Sequence, residues 1–325
     1  MAALRHSTPQ PELRAVDLRQ FGSHHLEPTL AEEEDLWLNR FFWDMRNSTD
    51  LVRRFVDQES LAGFALLAGR EVVGYSYYVL DEPKGLVGDV FVREPVRSTA
   101  NDFLLLDAAV QALMRHPGVS RVETQLMLLD PARRETPPAA RFAQMFDRSF
   151  LAADLPLPSE FPTPPHSAEL AFDRYSDRYH DSVSSLIAES YRDHVDAQIN
   201  DQYQSIAGAR RFLHNIVLYP GCGNFLRSAS FVALNRSTGL PCGLCLTSIV
   251  APHVAHITQL CVTPHGRARG VGHSLLRQSL RAAVEAGARK CTLTVTTSNE
   301  RAMRLYQRCG FQLVQPFTAF VWEGF

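Results

Sequence analysis

Lysine is nearly absent from this 325-residue chain: Lys84 and Lys290 are the only two among 33 basic side chains, and the rest are arginine. The base composition of the gene explains that bias more simply than a binding role. Long apolar runs are missing too. Nothing approaches the roughly 18 consecutive apolar residues that cross a bilayer, and the start, Met1 to Leu18, has no apolar signal core, so a cytoplasmic protein is expected. Cysteine is absent before Cys222, and all six cysteines (222, 242, 245, 261, 291 and 309) fall in the second half, a poor pattern for a disulfide framework. Cys242 and Cys245 form a C-x-x-C, but no second pair exists to complete four metal ligands. They lie in a strand-like run where an i, i+3 pair points to opposite faces, so structural thiols and no metal are expected.

What is present is ordinary globular material, 45% apolar and 21% charged, at a length suited to two domains. The net charge of −2 argues against a nucleic-acid or membrane partner, but it conceals a split. Residues 1–165 carry 17 basic and 24 acidic side chains, a net −7, whereas residues 166–325 carry 16 and 11, a net +5. Within the second half, residues 267–308 hold nine basic side chains against only Glu285 and Glu300, a field suited to a small polyanion or simply a solvated basic surface.

Five prolines within Asp154–Pro165 predict a stiff linker between domains at 13–153 and 166–325, with residues 1–12 a loose tail. In the second half, periodicity predicts helices over Arg178–Tyr191, Ala207–Tyr219, Val271–Glu285 and Glu300–Arg308. Strands are predicted over Ala168–Phe172, Phe225–Leu234, Cys242–Val250, His253–Val262, Cys291–Thr297 and Phe317–Trp322. The first half runs through the same order of elements. Aligning Val90–Pro95 with Leu260–His265 brings Gly74 within one residue of Gly243, which predicts one α+β (layered α/β) fold used twice.

The sharpest local signal is Arg267-Ala268-Arg269-Gly270-Val271-Gly272, between a strand and a long helix. Such a loop turns backbone N–H groups to one point at a helix N-terminus, where phosphate oxygens bind. It is neither a Walker loop nor G-x-G-x-x-G. Downstream comes Asn299-Glu300-Arg301-Ala302-Met303-Arg304-Leu305-Tyr306-Gln307-Arg308-Cys309-Gly310-Phe311. The ordered pair R-x-x-G-x-G and N-x-x-A-x-x-L-Y-x-x-x-G-F resembles the GCN5-related N-acetyltransferase (GNAT) family.

The resemblance implies two tandem acyl-CoA N-acyltransferase folds, the second catalytic, each a mixed and mostly antiparallel sheet with flanking helices. It implies that Arg267, Ala268, Arg269, Gly270, Val271, Gly272 and His273 hold the pyrophosphate of acetyl-CoA. It gives main-chain contacts to the pantetheine arm to Leu260, Cys261 and Val262, and a hydrogen bond to Asn299. Tyr306 would face the sulfur as proton donor, and no metal takes part. The acceptor would be a small-molecule or peptide amine, with nucleic acid and membrane excluded. A base must deprotonate the ammonium form of such an amine. Alternation puts His256, Thr258, Leu260 and Val262 on one strand face, and His256 matches a base position of some relatives. A satisfied structural histidine or a water chain remains open, as do Glu189 and Asp196 near the helix that usually walls the acceptor site.

The first half departs from the pattern. Its loop, Arg93-Glu94-Pro95-Val96-Arg97-Ser98-Thr99-Ala100, has no glycine, and Pro95 lacks an N–H. Phe146 stands opposite Tyr306 in the loose repeat and cannot donate a proton. This half therefore reads as a degenerate copy, resembling the inactive halves of tandem members such as the mycothiol synthases. A non-catalytic acyl-CoA sensor, or transfer of another acyl group, are the competing readings.

Overall fold

The structure is a computed structural model that describes residues 12–81, 83–129, 136–156, 169–219 and 221–325. The tail and most of the proline-rich linker expected from the sequence lie outside those residues. The chain forms two compact units: the first holds residues up to Glu33, Thr49–Gln144 and Trp322–Phe325, the second Glu34–Ser48 and Met145–Val321.

The first unit contains β1 (Leu13–Asp17), most of α1 (Ser23–Phe41) and α2 (Arg46–Asp57), then β2 (Gly63–Ala68), β3 (Glu71–Asp81), β4 (Lys84–Val92), α3 (Thr99–Met114) and β5 (Arg121–Gln125). Its strands run in the order β1-β2-β3-β4-β5, antiparallel except for the parallel β4/β5 pair. That last pairing needs a crossover, and α3 supplies it.

The second unit begins with β6 (Ala143–Asp154) and continues through β7 (Leu170–Arg174), α4 (His180–Ser190), α5 (Val195–Ile199), α6 (Ile206–Leu218) and the two-residue β8 (Asn224–Phe225). It closes with β9 (Phe231–Asn235), β10 (Pro241–Ala251), β11 (Val254–Val262), α7 (Val271–Glu285), β12 (Lys290–Thr296), α8 (Glu300–Arg308) and β13 (Gln312–Glu323). The order β7-β9-β10-β11-β12 repeats that of the first unit, again with only the crossover pair, β11/β12, parallel. Strand β6 follows β12, and β13 follows β6.

The repeat extends to a local irregularity. In the first unit Tyr77 pairs with Asp89 and Tyr78 with Val87, leaving Gly88 as a bulge. In the second, Leu246 pairs with Gln259 and Thr247 with Ile257, leaving Thr258. Gly74 opposite Val92 and Gly243 opposite Val262 then occupy the same register. A Cβ on Gly243 would lie 2.8 Å from Leu275 and 2.9 Å from Val271, so this glycine lets α7 close on the sheet.

The two faces of the second sheet carry separate cores. Helix α7 covers Ala255, Ile257, Cys291, Leu293 and Val295; α4 and α6 cover Val232, Leu244, Leu246 and Cys261. All six cysteines are free, and burial pushes the Cys245 thiol up to about 12. Cys242 packs on the same core as Cys245, although alternation put them on opposite faces, because a register shift between Pro241 and Gly243 interrupts the period.

Two stretches expected with the first half pack in the second unit. Strand β6 pairs residue by residue with β12, from Asp154 opposite Lys290 to Arg148 opposite Thr296. Phe41 meets Phe150 edge-on with ring centroids 5.0 Å apart. Phe146, expected as the counterpart of Tyr306, accordingly sits on a strand and not on a helix. Backbone pairing across 136 residues of chain leaves no local pattern to read, so this strand was invisible to periodicity.

Candidate active site

The site begins where two strands part. Strands β11 and β12 pair only from Val254/Lys290 to Ile257/Leu293. The Thr258 bulge follows at once, so the β12-facing edge of the next residues lies outside the ladder. Leu260, Cys261 and Val262 occupy that open edge. A bulge also flips the side-chain phase of everything after it. Leu260 and Val262 therefore pack with Ala255 and Ile257 toward α7, whereas Cys261 belongs to the core under α4 and α6. His256 and Leu260, expected on one face, do not share it.

Below the opening, a 3₁₀ turn (Pro264–Gly266) leads into Arg267-Ala268-Arg269-Gly270 and the start of α7. Ala268 and Gly270 both take left-handed backbone angles, with φ of 64° and 76°. Gly270 is the N-cap and contributes no side-chain cap. Helix α7 thus presents first-turn N–H groups with no capping oxygen, together with the positive end of its dipole. Arg267, Ala268 and Arg269 are exposed. A Cβ added at Gly272 would meet nothing closer than 3.5 Å, from Val262, so packing alone does not demand glycine there. His273, in the same turn, has its pKa lowered by burial and then by Arg277. The Arg267 guanidinium donates to the Ser190 carbonyl at 2.6 Å and ties the loop to the end of α4.

The corresponding loop of the first unit is closed. The Ser98 hydroxyl accepts from Asn101 N–H at 3.2 Å and caps α3. The Asn101 amide donates to the Val96 carbonyl at 2.6 Å, and Glu94 N–H is held by the Glu32 carboxylate at 2.7 Å. One first-turn N–H of α3 is thus taken by a side-chain oxygen, in contrast to the start of α7. At the register of Gln259 stands Asp89, within 3.5 Å of the Tyr75 hydroxyl, which itself donates to Glu33 at 2.6 Å; burial raises the Asp89 pKa.

Helix α8 supplies Asn299 and Tyr306. Asn299 is its N-cap, with Oδ1 accepting from Ala302 N–H at 3.2 Å. Tyr306 is 6% exposed, meets Phe311 edge-on at 5.9 Å, and has its pKa driven well above the ordinary phenol value by burial first and then by Cys245 and Asp196. It stays protonated across the whole working pH range.

From the opposite face, Gln259 donates to the Tyr191 hydroxyl at 2.9 Å and accepts from Tyr203 at 3.3 Å, and the two tyrosine rings stack at 4.2 Å. These rings line a cavity of about 550 Å³ with Glu189, Arg192, Asp193 and Gln204. Asp193 has a φ of 59°, unusual for a non-glycine residue. Glu189 lies 3.8 Å from His265 beside the loop.

His256 is elsewhere in function. Its Nδ1 is 2.9 Å from the Thr292 hydroxyl, and its ring is enclosed by Trp43 at 4.8 Å and Phe150 at 6.2 Å. Burial pulls its pKa down to about 3. A histidine that resists protonation this strongly is a poor proton acceptor. Its folded pKa lies below the unfolded value of about 6.5, so its stabilising contribution is complete above that value and shrinks as pH falls towards 3. Urea unfolding at pH 7 and pH 5 should differ by about 2 kcal/mol from this group, and His256→Leu should remove that part of the slope. An unchanged slope would show that His256 ionises freely.

Sequence reasoning missed His194. This residue caps α5, with Asp196 N–H 3.1 Å from its Nδ1, and its Nε2 is 3.3 Å from Asn299 Nδ2. A histidine in a polar turn carries no periodic signal, and the only sequence cue was its neighbour Asp196.

Residues 186–311 match the acetyltransferase (GNAT) family in a scan of family profiles. Among solved structures, the chain is similar to a GCN5-related N-acetyltransferase from Sphaerobacter thermophilus, at 16% identity and a TM-score of 0.66, over 96% of this chain and 95% of that one. It is also similar to a tandem GNAT protein from the clavulanic acid biosynthesis pathway, at 17% identity and a TM-score of 0.57, over 96% and 98%. A glucosamine N-acetyltransferase region of a fungal multi-domain β-N-acetylglucosaminidase matches at 13% identity and a TM-score of 0.61, over 97% of this chain but 38% of that one. No curated protein matched. These likenesses establish the tandem GNAT fold. Among the described residues no helix is long and apolar enough to cross a membrane, and no group of three or more His, Cys, Asp or Glu side chains suits a metal ion.

Proposed function

We propose, from the match of residues 186–311 to the acetyltransferase (GNAT) family, that the chain moves an acetyl group from acetyl-CoA to a primary amine by direct attack, with the active site in the second unit. The observation that carries the reading is the uncapped, glycine-led start of α7 beneath an unpaired strand edge, with Asn299 and Tyr306 arriving from α8. The residues fit the co-substrate. Backbone N–H groups from Arg267 to His273 would hold the pyrophosphate, the free edge of Leu260–Val262 the pantetheine arm, and the room at Gly272 lets the chain approach.

The thioester supplies an activated acyl carbon and a thiolate leaving group. An N–H of the β11 edge stabilises the oxyanion as the amine adds, and the Tyr306 hydroxyl protonates the departing sulfur. The acceptor is a small-molecule or peptide amine that enters over the Tyr191–Tyr203 pair, in a cytoplasmic setting that keeps the thiols reduced. The first unit, whose loop is capped by Ser98, binds no acetyl-CoA.

The test is thiol release from acetyl-CoA with spermidine, tyramine, glucosamine and a peptide N-terminus as acceptors. Acceptor-dependent release with at least one supports transfer. Tight acetyl-CoA binding without release from any acceptor favours a sensor and contradicts the reading.

A further inference from the structure

We propose that Asp196 and Arg148 select the acceptor, and that the preferred acceptor is an amino acid whose ammonium lies against Asp196 and whose carboxylate lies against Arg148; this rests on the acyl-transfer reading above.

The case starts from β12. Cys291, Leu293 and Val295 belong to the core under α7, so Thr292, Thr294 and Thr296 line the other face. The ladder with β11 ends at Ile257/Leu293, which leaves Thr294 and Thr296 beside the opening between the two strands. Each of these hydroxyls holds one charged side chain. The Thr296 hydroxyl donates to Asp196 Oδ1, and Arg148, which stands opposite Thr296 on β6, donates from Nη2 to the Thr294 hydroxyl at 3.4 Å. Residues two apart on a strand are about 7 Å apart. Among the described residues no ion pair joins this carboxylate to this guanidinium.

Neither charge is balanced within the site. Asp196 Oδ2 lies 3.7 Å from His194 Nδ1, but that nitrogen already accepts the Asp196 N–H, so the imidazole turns a lone pair and not a proton toward the carboxylate. Arg148 is half-buried over the Phe317 ring at 6.0 Å, and its Nε is buried with no hydrogen-bond partner among the described residues. A guanidinium drawn out of water without a counter-charge costs stability, and a cost of that kind is tolerated where a ligand offsets it. Both charges reach one hydroxyl: burial drives the Tyr203 pKa up, Asp196 adds to the rise and Arg148 opposes it. Asp196 bears likewise on Tyr306, the proposed donor to the sulfur. An ammonium held by Asp196 is thereby brought to the side of the opening where the thioester would react.

The two charges suit two ends of one small molecule. A guanidinium fork meets a carboxylate with two parallel N–H bonds, which gives direction as well as attraction. A simple amine would leave Arg148 without a counter-charge, and a polyamine would bring a second positive charge toward it. An amino acid satisfies both side chains at once. Amines without a carboxylate still react, only more slowly.

Matched acceptors test this by thiol release from acetyl-CoA: tyrosine against tyramine, histidine against histamine, lysine against cadaverine, β-alanine against ethylamine. In the best pair the wild-type kcat/KM for the amino acid should exceed that for its decarboxylated partner by about 100-fold, in the range for leaving a desolvated charge unpaired. Arg148→Gln should cut that ratio to under about fivefold by slowing the amino acid alone. Its rate with the amine and its acetyl-CoA Kd by calorimetry should stay within about threefold, which also shows that the variant folds. Arg148→Lys, which keeps the charge and loses the fork, should fall between. Asp196→Asn should slow both members of the pair by a similar factor. Decarboxylated partners that react as fast as the amino acids in the wild type overturn the acceptor class while leaving transfer intact. An Arg148→Gln variant that slows both members equally overturns the role of Arg148, and unchanged rates in Asp196→Asn overturn that of Asp196. A wild type that releases no thiol with any acceptor of either series overturns the transfer reading, and the acceptor class with it.

Discussion

Tyr306→Phe is expected to lower kcat by about 100-fold while leaving the acetyl-CoA Kd within twofold. The hydroxyl is the only group removed, and the ring contact with Phe311 remains. A general acid is worth 10²- to 10⁴-fold, and the lower end applies because the thiolate is a competent leaving group. Burial and the nearby Asp196 carboxylate hold the phenol protonated, so its contribution should not titrate between pH 6 and 9. Steady-state thiol release and calorimetry on the same preparation separate the two effects. Equal turnover in the variant would remove the hydroxyl from the chemistry, and a Kd rising in step with the loss of kcat would make it a binding group.

Gly272→Asp should raise the acetyl-CoA Kd at least 100-fold without destabilising the fold. The two effects have opposite signs for one physical reason. A carboxylate in the first turn of a helix interacts favourably with the dipole, by about 0.5 kcal/mol. A Cβ at this position meets only an ordinary contact with Val262. The melting temperature should therefore hold or rise slightly. The same carboxylate would stand among the N–H groups proposed for pyrophosphate and would repel it. A variant that melts earlier would attribute the glycine to packing, and unchanged affinity would move the phosphates elsewhere.

How much was legible follows from the range of each interaction. Helix α7 and helix α8 were read to the residue, because apolar spacing and flanking glycines are local signals. The face of His256 was misassigned because Thr258 keeps the polar–apolar alternation running through a bulge that only pairing with β10 reveals. The place of β6 in the second unit was hidden for a similar reason: its partner β12 lies 136 residues downstream. His194 was passed over because a five-residue helix has too few turns to announce itself, and its geometry depends on Asn299, 105 residues downstream.

The first unit sharpens the account by contrast. Both units carry the same strand order and the same bulge. One helix end is closed by Ser98, and where Gln259 meets two tyrosines in the second unit, Asp89 sits in a buried acidic cluster in the first. The acid excess of the first half thus includes groups turned inward.

The central claim is one acyl-CoA site per chain, at the start of α7. Calorimetric titration of the full chain with acetyl-CoA tests it most directly: a stoichiometry of one, abolished in Gly272→Asp, is the predicted result. Two sites per chain, or one site that Gly272→Asp leaves intact, would contradict it.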